Sequence, residues 1–119
     1  MKNNTISVRV HVTIEDIENM LYSAAQGCDY WCSNSNELGY EHEVKQITEQ
    51  GKDWYAVDAE REKGEQTHYA LNMKKIKRGL TVLAKKYPHH FKDIIDENTD
   101  MITADVLVQC ALFGDIIYG

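Results

Sequence analysis

The sequence predicts an α+β fold: a small antiparallel sheet, one strand plus a hairpin, with helices packed on one face. Three observations lead there. "TISVRVHVTI" (5–14) alternates apolar and polar residues with period two. "WYAVDAE" and "QTHYALN", both rich in β-branched and aromatic residues, flank a glycine-containing "REKGE" and read as a hairpin. The other apolar residues recur at three- and four-residue spacing, the mark of helices with one buried stripe. Helices segregated to one side of an antiparallel sheet satisfy all three patterns.

In the first strand Ile6, Val8, Val10, Val12 and Ile14 point one way and Thr5, Ser7, Arg9, His11 and Thr13 the other, so one face is covered and the other wet. Thr13 and Asp16 are spaced as a near capping box, and Ile17, Met20, Leu21 and Ala24 form the stripe of the helix that follows. Gly27 stands where a residue just past the helix end belongs. "SNSNELGY" reads as a loop, while "EHEVKQITEQGK" fits either a helical turn through Val44 and Ile47 or a short edge strand.

Asn72 is placed to cap "MKKIKRGLTVLAKKY", whose Met73, Ile76, Leu80 and Leu83 share a face and which Pro88 stops. "HFKDIID" predicts a short turn with Phe91, Ile94 and Ile95 inward. Thr103 is the expected cap of "ADVLVQCALF", ended by Gly114. No linker or repeat interrupts the chain, so residues 1–119 are expected to be a single domain.

Composition is that of a globular protein: 119 residues, 43% hydrophobic and 27% charged. A net charge of −6 argues against direct, sequence-specific nucleic-acid binding, which needs a basic face. "MKNNTISVRV" lacks the apolar core of a leader, and no apolar run reaches the roughly 20 residues of a membrane span. The expectation is a cytoplasmic protein with no membrane partner and reduced thiols.

Cys28 and Cys32 bracket Tyr30-Trp31 without forming a CxxC pair. With His89, His90 or Cys110 they offer a zinc set only at spacings looser than structural zinc sites use, so no metal is expected and packing is the favoured role. Tyr30 and Trp31 read as core cover or as an aromatic pocket wall, and so does Trp54, with Tyr55 on the opposite face of its strand. His11, His42 and His68 are isolated on polar faces, and Asp58, Glu60 and Glu62 look like a solvated hairpin end. No glycine-rich phosphate loop, HExxH or local nucleophile–base spacing occurs, so neither catalysis nor a cofactor is expected.

Lys74, Lys75, Lys77 and Arg78, with Lys85 and Lys86 further on, reverse the local charge. They form either a wet helix face or, beside a helix N-terminus, a phosphate or acidic-partner contact. In "VLVQCALF" only Gln109 is polar, which places that helix inside the domain or against a second copy. Val108, Leu112 or the Ile116–Ile117–Tyr118 end is expected to lie in a homo-oligomer interface.

The strand and "TIEDIENML" helix, the "YWC" after it, the hairpin running into "LNMKKIKRGL" and the ending "ADVLVQCALFGDIIYG" resemble a group of short accessory proteins of tailed bacteriophages and prophages. The resemblance implies the cytoplasm of an infected bacterium and a counter-defence role, and it carries over no catalytic residue. The leading expectation is therefore a binding protein, without catalysis, that sequesters a nucleotide-type immune signal. Bases would stack on Tyr30, Trp31 or Trp54, with Asn34 in the adjoining loop and phosphates at Lys74 and Arg78. The alternative is an acidic inhibitor that binds a host defence effector as anti-CRISPR proteins do, and third stands a small hydrolase of such signals.

Overall fold

The computed structural model describes residues 9–62 and 64–119. They form α1 (Ile14–Gly27), a 3-10 helix (Ser35–Gly39), α2 (Glu41–Thr48), β1 (Trp54–Val57), β2 (His68–Leu71), α3 (Met73–Lys86), α4 (Pro88–Ile95) and α5 (Met101–Phe113). The fold is α+β, with a two-stranded antiparallel sheet among the described residues.

Thr13 and Asp16 cap α1 reciprocally: the hydroxyl accepts from the Asp16 amide at 3.0 Å and the carboxylate from the Thr13 amide at 3.2 Å. Ile17, Met20, Leu21 and Ala24 are buried, as their spacing requires. Gly27 lies in the last turn rather than beyond it, with Cys28 as the cap. A glycine is needed there because a Cβ would collide with the Met101 carbonyl at the start of α5. The serine-rich segment expected as a loop is partly wound into the 3-10 helix, and the ambiguous segment after it is α2, burying Val44 and Ile47.

The hairpin pairs Trp54 with Leu71 through to Val57 with His68. Trp54, Ala56 and Leu71 turn to the core while Tyr55 faces solvent. Residues 9–13, the described part of the expected first strand, are irregular chain, and Ile14 is already helical; residues 5–8 lie outside the described residues. The outer edge of β1 is taken by the segment around Ser33, whose amide donates to Val57 O at 2.9 Å.

Asn72 caps α3, its side chain accepting from the Lys75 amide at 2.9 Å. Pro88 opens α4 at a position where its missing N–H is harmless. In α4 Ile94 is buried and Phe91 half-buried, but Ile95 faces solvent, since neighbours on a helix sit about 100° apart. The cap of α5 is Asp100, not Thr103: the Thr103 amide donates to the Asp100 carboxylate at 2.9 Å, and Thr103 is the buried third helical residue. Gly114, in the left-handed conformation at φ 77°, ends the helix as expected.

Every residue from Thr103 to Leu112 is buried. α1 and α3 flank α5, and Gly79 lets α3 approach closely, since a Cβ there would come within 2.8 Å of the Ala111 nitrogen. Val108 and Leu112 are thus covered by their own chain and do not form the oligomer face expected of them. No helix among the described residues is long and apolar enough to cross a membrane.

Candidate functional site

The Tyr-Trp corner at the end of α1 closes over a polar knot on α5. Trp31 is wholly buried, and its indole N–H donates to Asp105 Oδ1 at 2.7 Å. Tyr30 donates its hydroxyl to Asp105 Oδ2 at 2.6 Å but keeps 47% of its surface exposed. Gln109, one turn on from Asp105, donates to Asp105 Oδ1 at 3.0 Å and to the Tyr30 oxygen at 3.2 Å. Among the described residues no cation pairs with Asp105. Burial, then the bond to this carboxylate, raises the Tyr30 phenol above its ordinary range, because ionising it would set a second negative charge beside the first.

Gln109, the lone polar residue of the apolar run, also ties down the tail. Its oxygen accepts from the Ile117 and Tyr118 amides at 2.9 and 2.8 Å, and its nitrogen donates to Tyr118 O at 3.2 Å. Tyr118 thereby stacks on Trp31 with ring centroids 5.6 Å apart, while Phe113 meets Trp31 edge-on. The Tyr118 hydroxyl reaches both oxygens of Asp58, at 2.8 and 3.0 Å. Asp58, expected in a solvated hairpin end, is buried and also accepts from Arg61 Nε at 3.0 Å.

These contacts decide the fate of the residues expected to hold a nucleotide. Trp31 has no free ring face, and Trp54 is buried with its indole N–H on Glu37 at 3.0 Å. Asn34 acts as a piece of strand: its carboxamide donates to Tyr55 O at 2.8 Å and accepts from the Val57 amide at 2.9 Å, closing the β1 edge. Arg78 donates to the Ala111 carbonyl, one of those left unpaired at the end of α5. Tyr30, Lys74 and Arg78 are exposed, Arg78 with its guanidinium already engaged on that carbonyl.

The cysteines are inert by environment. Cys28, Cys32 and Cys110 are buried and unpaired. Burial pushes all three thiols up, Cys110 to about 11. Among the described residues no three His, Cys, Asp or Glu side chains gather as metal ligands.

A second surface feature lies on α3. α3 carries six of the chain's thirteen Lys and Arg and no acid. With six positive charges on α3 in a chain of net −6, everything outside it amounts to −12. Beside this helix runs an open groove of about 460 Å³ between residues 10–17 and the α3–α4 pair. Val10, Val12 and Ile14 form one wall; Met73 and Leu80 of α3, with Phe91 of α4, form the other. Lys77 and Lys85 stand on the α3 side. Neither makes an ion pair among the described residues, whereas Lys86 pairs with Asp115 at 3.0 Å.

Sequence reasoning missed both halves of this arrangement. Asp105 and Gln109, a polar pair four apart on an otherwise apolar helix, were the available signal for the knot. For the groove, the signal was that the alternating segment runs straight into a helix cap, with no turn to return it to a sheet. No family model matches the chain, nor does any curated protein or solved structure.

Proposed function

We propose that this chain is a non-catalytic binding protein of a bacteriophage, acting in the infected bacterial cytoplasm by occupying a protein of the host's defence. The observation that carries the reading is the segregation of charge: Lys77 and Lys85 of α3, without an ion pair among the described residues, stand beside an apolar groove in a chain otherwise strongly acidic. Such a surface suits association steered by charge and held by apolar contact. Sequestration of a nucleotide stands second, because Trp31 and Trp54 present no ring face for a base. The resemblance to phage accessory proteins supports the biological setting.

Thermal-shift measurements with cyclic nucleotides and ADP-ribose derivatives, and mass spectrometry of the same mixtures after incubation, test this reading. The expected outcome is no stabilisation and no turnover, alongside a host protein retained by the immobilised chain at low salt and released as salt rises. Stabilisation by any of these nucleotides at micromolar concentration would return the nucleotide reading to first place.

A further inference from the structure

We infer that the groove beside α3 is the docking site for an acidic amphipathic helix of a protein partner, an inference that rests on the protein-binding reading above. The groove follows α3 from Met73 to Lys85, about 18 Å at the helical rise, or three turns. That length exceeds what a single nucleotide spans and matches the i, i+3, i+4, i+7 anchors of a helix laid in a trough. Met73, Leu80 and Ala84 lie within about 40° of one another around α3 and make one wall, while Lys77, Thr81 and Lys85 rise beside them as the rim. The opposite wall is Val10 and Ile14, 45% and 46% exposed, so apolar surface waits in water on both sides.

Charge selects the occupant. Lys77 and Lys85 are eight residues apart, about 12 Å along the helix, and no carboxylate answers either among the described residues. A helix presenting leucines to the groove and glutamates two turns apart to these lysines meets both requirements. No acid is among the residues lining the groove, and Glu15 and Asp16, beside Ile14, belong to the α1 N-terminus, where Asp16 is engaged by the cap.

The test titrates the full-length chain with a fluorescein-labelled synthetic peptide of about 14 residues, Leu at i, i+3, i+4 and i+7 and Glu between, while following backbone amide resonances. Saturable binding is expected, with shifts confined to Val10–Ile17, Met73–Lys85 and Phe91. A scrambled peptide of equal composition should bind at least about tenfold more weakly. Lys77→Glu with Lys85→Glu should weaken binding by about tenfold or more and abolish its salt dependence. Val10→Asp and Ile14→Asp, at exposed positions that leave the core intact, should do likewise.

No saturation, or shifts elsewhere on the surface, would overturn the inference. So would a concentration-dependent dimer that Ile14→Asp dissolves, which makes a second copy the occupant. Saturation by dodecanoate but not by the peptide would also overturn it, as a lipid site. Retention of a host protein that survives both lysine reversals would leave the protein-binding reading standing and this groove assignment false.

Discussion

The carboxamide of Gln109 engages Tyr118 as one strand engages another: its nitrogen donates to the Tyr118 carbonyl at 3.2 Å and its oxygen accepts the Tyr118 amide at 2.8 Å. Gln109→Leu keeps the volume and strands the amides of Ile117 and Tyr118. A loss of about 1–3 kcal/mol is expected in urea unfolding. Limited proteolysis should release the residues after Gly114 faster than in the wild type.

Asp105 holds together three neutral donors, the Trp31 indole, the Tyr30 hydroxyl and the Gln109 amide. Asp105→Ala leaves the buried indole unpaired and opens a cavity, so a loss of about 2–4 kcal/mol is expected. Asp105→Asn retains one acceptor for Trp31, and its new NH₂ donates to the Tyr30 oxygen. It should lose less than half as much. The Trp31 emission spectrum should shift in the alanine variant and stay close to wild type in the asparagine one.

Gly79→Ala sets two effects against each other. Alanine gains about 1 kcal/mol of helix propensity over glycine. Its Cβ, however, would come 2.8 Å from Ala111 N and 3.0 Å from Leu107 O, both rigid backbone atoms of α5. Overpacking of this kind costs about 1–3 kcal/mol or more, so net destabilisation is expected. A raised urea midpoint would refute the close α3–α5 contact.

Burial and the bond to Asp58 push the Tyr118 phenol up to about 12, from an ordinary value near 10. Because the folded state favours the neutral ring, this contribution is fully present below pH 10 and is lost as pH rises from 10 towards 12. Thermal unfolding should therefore fall across that window, and Tyr118→Phe should flatten the part of the fall due to this ring. Tyr30, raised for the same physical reasons, leaves a residual slope in the variant.

Helices were legible where one local pattern decided them. The Thr13–Asp16 box, the Asn72 cap and Gly114 all act within a few residues of themselves, and all stand where the sequence puts them. What failed depended on distant neighbours. Period two describes a segment with one apolar face, but only a partner edge makes it a strand; residues 9–13 have none among the described residues, and Asn34 closes the edge of β1. Likewise Trp31 and Trp54 have the composition of a stacking platform, yet Asp105 and Glu37, seventy-four and seventeen residues away, fix them indoors. The groove was illegible for the same reason: its two walls meet only after the chain has folded.

α5 lies between α1 and α3, and both are synthesised before it. At translation speeds of about 5–20 residues per second, the stripes of the two earlier helices spend seconds without the element that covers them. Contacts that bury α5 against α1 are therefore long-range in sequence, the kind that form slowly. In a cell, that interval is when chaperones and proteases have access to this protein.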